Sequence, residues 1–115
     1  MARYLVLGSY TKEGAQGLVD ASTGRRAAME ALHASVGAKL VDYYLTRGQY
    51  HFCVIPEADS FSVVAALTLK PSVDGAVENP VTMEAVDIEE ILNIAHSAGY
   101  TPPSGLATTD VFRLM

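Results

Sequence analysis

The chain has 115 residues, half of them hydrophobic and 18% charged, and carries a formal net charge of −5. This is enough chain and enough apolar surface for one folded domain, which excludes a disordered polypeptide. An acidic chain with dispersed basic residues has no electrostatic footprint for nucleic acid or an anionic membrane. Its one adjacent basic pair, Arg25-Arg26, is accounted for by charge pairing along a helix.

Cys53 is the only cysteine, so no disulfide can form within the chain. A lone thiol suits a reducing compartment. The apolar run near Met1 is too short for a signal-peptide core. No apolar stretch approaches the ~20 residues that span a bilayer as a helix. The expected location is the cytoplasm.

Residues 3–10 (RYLVLGSY) read as a strand with apolar residues on both parities, Leu5 and Leu7 on one side and Tyr4 and Val6 on the other. Residues 12–36 read as helix in two pieces, broken at the glycine- and serine-containing stretch that ends at Gly24. The firm piece runs from Arg25 to Val36, with Met29, Leu32 and Val36 on one stripe and Gly37 as its stop. Residues 38–46 and 50–56 read as two strands of a hairpin turning at Arg47-Gly48-Gln49. In the second of them Phe52 and Val54 take one face, and Cys53 and Ile55 the other.

A helix from Ser60 to about Leu69 follows, apolar almost all round and so expected to be well buried, with Pro71 and Gly75 ending it. Residues 76–86 read as a fourth strand. Pro80 cannot donate to a sheet ladder, which predicts an edge position or a bulge. Asp87, with Glu90 three residues later, opens a short last helix that Gly99 and Pro102-Pro103 end.

The order βαββαβ plus a C-terminal helix is the ferredoxin-like pattern, an α+β fold with an antiparallel sheet. Residues 1–99 form the domain and residues 100–115 a tail. Helices cover one sheet face, and a solvated second face calls for alternating polar residues. The first and third strands lack that alternation, so the second face is expected to be covered by another copy. The expected assembly is a homodimer or a larger even oligomer.

Three segments carry a family likeness: Tyr10-Thr11-Lys12-Glu13-Gly14, Tyr44-Leu45-Thr46-Arg47-Gly48-Gln49-Tyr50-His51, and Glu57-Ala58-Asp59. Together they resemble the GYD-domain family of small bacterial proteins, over roughly residues 2–92. The resemblance implies a dimeric α/β barrel. Such barrels include cofactor-free monooxygenases, haem-handling enzymes, isomerases and small-molecule-binding proteins. Gly48 and Tyr50 fit the family's Gly, Tyr, Asp signature, whereas His51 stands where the family usually has the acid. Residues 74–82 also depart from the family pattern.

His51 is the leading candidate for chemistry, as the one histidine on a predicted strand, beside a hairpin that would rim a cavity. Cys53, two residues on, would share its face. Tyr10, Tyr44 and Tyr50 are candidate ligand-binding residues, although Tyr50 and His51 fall on opposite faces of one strand. Each offers an apolar ring with a hydroxyl. His33 and His96 read as solvated, because His33 falls with Arg26 and Glu30, opposite the Met29 stripe, and His96 with Glu89 and Asn93. Glu57 reads as a strand-end residue and Glu84 as a solvent-facing one. No metal-ligand spacing or nucleotide loop is present, and no cofactor is expected.

The favoured function is binding of a small apolar or aromatic ligand. Two alternatives stand beside it. One is a cofactor-free oxygenase or isomerase using His51 as base, with Tyr44 or Tyr10 polarising a substrate oxygen. The other is an assembly protein whose tail (Val111, Phe112, Leu114, Met115) docks on a neighbouring subunit.

Overall fold

The computed structural model describes residues 1–21 and 24–103. In chain order its elements are β1 (Ala2–Tyr10), α1 (Lys12–Asp20), α2 (Arg25–Ser35), β2 (Lys39–Leu45), β3 (Phe52–Ala58), α3 (Phe61–Val73), β4 (Val77–Ala85) and α4 (Ile88–Ser97). The strands form one sheet in the order β2-β3-β1-β4, with antiparallel pairing throughout. This is the ferredoxin-like α+β arrangement read from the sequence. The apolar tail residues from Val111 to Met115 lie outside the described residues.

Helix α2 lies over β2, and α3 over β3 and β4. Between helices and sheet, Tyr4 and Val6 of β1, Phe52 and Val54 of β3, and Val64 and Leu67 of α3 make the buried core. Alternation along β1 and β3 is clean, with every second residue buried beneath the helices. The other sheet face carries Leu5 paired with Met83, Leu7 paired with Val81 and Cys53, and Ile55 beside them. These are partly or well exposed in the single chain. An ion pair, Arg3 Nη2 to Glu57 Oε1 at 3.1 Å, closes one end of this apolar face.

Pro80 sits where the sequence predicts a proline can be tolerated. β4 is an edge strand, its pairing with β1 is irregular between Leu7 and Ser9, and Asn79 there adopts a φ of 52°. A second irregularity breaks the β2–β3 ladder between Leu40 and Asp42. It falls beside Pro56, which has no N–H to give the ladder.

Three expectations are corrected. α3 does not stop before Pro71 but runs on to Val73. Proline costs a helix one bond and a clash with the preceding turn, yet here it falls in the last turn, where a strong stop follows immediately. Ala76 N–H donates to Pro71 O at 3.0 Å and Gly75 N–H to Ser72 O at 3.1 Å, with Gly75 at φ 77°. This is the Schellman ending, which satisfies the last carbonyls and needs a left-handed residue that glycine supplies.

α3 is also less buried than its composition predicts. Val64 and Leu67 are covered, but Phe61, Leu69 and Val73 are exposed along one i, i+4 stripe. One sheet can cover only one side of a helix. Finally, β3 begins at Phe52 rather than at Tyr50, so Tyr50 and His51 lie in the connection from β2. Among the described residues no helix is long and apolar enough to cross a membrane.

Candidate functional site

A concave feature beneath the helices lies between the sheet and helices α2 and α3. It is an apolar cavity of about 50 Å³ walled by Val6, Phe52, Val54, Met29, Leu67 and Val77, with Tyr10, Tyr43, His33, Thr68 and Arg25 supplying its polar atoms. Tyr10 ends β1 and Tyr43 lies in β2, and their hydroxyls hydrogen-bond to each other. The Tyr10 ring also packs at 4.9 Å between centroids on Phe52. Burial first, then the hydrogen bond and charge of Tyr43, hold the Tyr10 phenol above the usual tyrosine range, and Arg25 pulls it part of the way back. The Tyr10 phenol is therefore neutral at physiological pH.

Helix α2 contributes Arg25, Met29 and His33 at i, i+4 and i+8, one wall of the same cavity. Arg25 is exposed at the opening. Its neighbour Arg26 turns outward and donates to the Tyr43 carbonyl at 2.9 Å, which pins the start of α2 over β2. That bond is what the adjacent basic pair does here.

His33 overturns its expected solvation. It is 1% exposed, the one buried polar residue among those described. Nδ1 lies 2.7 Å from the Met29 carbonyl, an acceptor only, so Nδ1 carries the proton. Desolvation lowers its basicity, partly offset by the Met29 bond. A neutral imidazole of this tautomer leaves Nε2 as an acceptor, and no partner reaches it.

His51 has a different position. It lies in the connection before β3, exposed, with Nδ1 accepting the Tyr10 backbone N–H at 3.0 Å. Its own N–H donates to Gly8 O at 2.8 Å, and its carbonyl accepts Thr46 N–H at 2.8 Å. The ring stacks beside Tyr10 at 6.5 Å. These bonds tie the 46–51 connection to the end of β1 and hold Tyr10 in place.

Tyr44 and Tyr50 stand away from the cavity. Tyr44 pairs with Cys53 on the helix-free sheet face and is half exposed. Tyr50 borders a shallow open groove with Ser9, Gln49 and Pro80. Of the four tentative ligand-binding residues, Tyr10 lines the cavity, and His51 supports it from outside. Burial pushes the Cys53 thiol up, away from a reactive thiolate, and no hydrogen bond joins it to His51. Glu57 is held in the ion pair with Arg3, and Glu84 and His96 are exposed.

Sequence reasoning passed over Tyr43, Arg25, Met29 and His33 as cavity residues. The available signal for Tyr43 was its parity with Val54, which the irregularity at Leu40–Asp42 hides. What the cavity can do is bind and orient. It offers one cation at the opening, two phenols and one buried acceptor in an apolar wall, with no carboxylate or thiol among its described lining residues.

The fold is that of a ferredoxin-like α+β domain with a small cavity beneath its helices. The chain belongs to the GYD domain family, whose model matches residues 4–95. It is 27% identical over 92 residues, 80% of this chain and 96% of the relative, to the glutamine synthetase and cystathionine beta-lyase binding protein of Thermus thermophilus. Among solved structures it is similar to another Thermus thermophilus protein, with a TM-score of 0.50 at 15% identity over 76% of this chain and 95% of that one. A Pyrococcus horikoshii protein matches with a TM-score of 0.46 at 22% identity over 76% of this chain and 92% of that one.

Proposed function

We propose that this chain is a small-molecule-binding protein that works in the cytoplasm as a homodimer or larger even assembly. The observation that carries the binding reading is the apolar cavity with converging polar atoms at Tyr10, Tyr43, His33 and Arg25. Binding sites are characteristically apolar spaces with a few placed polar groups. The assembly is supported by the helix-free sheet face, with its apolar centre at Leu5, Leu7, Ile55 and Met83 and its polar edge at Arg3 and Glu57. An apolar centre within a polar rim is the pattern of a protein interface.

Native mass spectrometry on freshly purified protein, repeated after denaturation, tests both parts. An even oligomer carrying excess mass that denaturation releases is the expected result. A clean monomer removes the assembly, and an oligomer that never carries a small molecule, even after incubation with metabolite extract, removes the binding reading.

A second reading has support of its own. The Thermus relative is named for binding two enzymes, and α3 exposes Phe61, Leu69 and Val73 on one stripe. In this reading the domain docks on a partner protein through α3, with the cavity as a modulator. Pull-down of cell protein by the wild type but not by Leu69→Lys separates this from ligand binding alone.

A further inference from the structure

Helix α4 stands apart from the rest of its chain. Every residue from Ile88 to Ser97 is exposed, and the helix makes no extended contact with any other element among the described residues. Yet Ile88, Ile91, Leu92 and Ala95 fall at i, i+3, i+4 and i+7, the apolar stripe of a helix that packs on something. A helix this short is marginal alone in water, even with Asp87 capping it by accepting Glu89 N–H at 2.8 Å. Its cover comes from outside its own chain.

Two features say what that cover is. The first is continuity. Ala85, the last residue of β4, pairs with Arg3 on the helix-free sheet face, and only Val86 and Asp87 separate it from α4. The helix therefore leaves from the rim of the apolar face made by Leu5, Leu7, Ile55 and Met83, and exposed Val86 joins the two surfaces. The second is complementarity of number. Each chain carries one unpartnered apolar helix and one uncovered apolar sheet face, and the two do not pack together within it. Exchange between two copies uses each once and closes at two, as an isologous contact does. The sheet edges are obstructed, because Arg26 takes the Tyr43 carbonyl on β2 and Pro80 interrupts β4. A second copy is thus left the open face.

We infer that α4 is an exchanged arm: its apolar stripe packs on the helix-free sheet face of a second copy of this chain, whose own α4 packs on the first. The inference rests on the assembly reading and gives the last helix its place in it.

The test uses the full chain carrying Ile91→Glu and Leu92→Glu together. Both side chains are exposed in the single chain, so the domain still folds, which circular dichroism checks. Sedimentation equilibrium should read self-association at least about a hundredfold weaker than in the wild type, since each change enters a two-fold interface twice. In wild-type protein mixed from carbon-13-labelled and unlabelled chains, isotope-filtered NMR should find cross-chain contacts from the α4 methyl groups to Leu5, Leu7 and Ile55. Unchanged association of the double variant overturns the arm, and so do α4 contacts confined to one chain. Leu7→Asp keeps the two failures apart. An oligomer dispersed by Leu7→Asp but not by the α4 changes leaves the assembly reading standing without the arm. A wild-type protein that stays monomeric at every concentration removes both, and leaves α4 to a partner of another kind.

Discussion

His33 and Met29 are joined within α2 by a hydrogen bond from Nδ1–H to the Met29 carbonyl, 2.7 Å long. That single bond fixes the tautomer of a histidine that is 1% exposed. It turns a helix-surface residue type into a buried neutral acceptor.

Stability falls as the pH is lowered through the histidine range. Desolvation depresses the basicity of His33 in the folded chain, whereas an unfolded histidine takes its proton near pH ~6.5. The unfolded state therefore binds more protons below that value, and stability rises with pH across the window. The other polar side chains lining the cavity are Tyr10, Tyr43 and Thr68 opposite α2 and Arg25 on α2 itself, none of which is a carboxylate that could hold an imidazolium. Thermal melts from pH 7.5 to 5 should show a falling Tm in the wild type and a flatter profile in His33→Phe.

Tyr10→Phe and Tyr43→Phe each remove one member of the hydroxyl pair. The expected cost is about 1 kcal/mol apiece, and the double substitution costs less than the sum, because one bond is lost only once. Urea unfolding of the four proteins closes the cycle. An alkaline absorbance titration should find one late-ionising phenol in the wild type, lost in Tyr10→Phe, since burial raises Tyr10.

Two glycines of α1 are predicted to behave in opposite ways. A Cβ on Gly14 would lie 1.9 Å from the Ala76 carbonyl oxygen, a backbone atom that cannot step aside. Thr11 caps the same turn by accepting Gly14 N–H at 3.0 Å and donates its own N–H to Ala76 O at 3.1 Å. Gly14→Ala should therefore destabilise by about 2 kcal/mol or more and part α1 from the end of α3. At Gly17 nothing lies within 4 Å, and alanine should gain about 0.5–1 kcal/mol from helix propensity.

Leu7→Asp puts a charge at the centre of the helix-free sheet face, between Val81 and Cys53. If two such faces pack together, each chain buries an unpaired carboxylate at a cost of several kcal/mol, and sedimentation should find a monomer. The Cys53 thiol should then react with a disulfide reagent faster than in the wild type. An oligomer of unchanged size places the interface elsewhere.

The order of strands and helices was legible from residue patterns alone. Proline placed β4 at an edge, glycine ended α2, and the two-sided apolar strands announced a sheet with more to cover than its own helices can. These are local consequences of backbone chemistry and alternation, and they hold wherever the chain happens to pack. The cavity was not legible in the same way. α2 is rich in alanine, which fits any face, so the sequence did not decide whether His33 turned to water or inward. Docking over the sheet settled it. The choice among tyrosines turned on the break between Leu40 and Asp42, which sends Tyr43 inward beside Val54 and Tyr44 outward beside Cys53. A one-residue change of register reverses every side chain that follows it. That reversal depends on the partner strand, where Pro56 cannot supply the missing bond, and only the assembled sheet brings the two residues together.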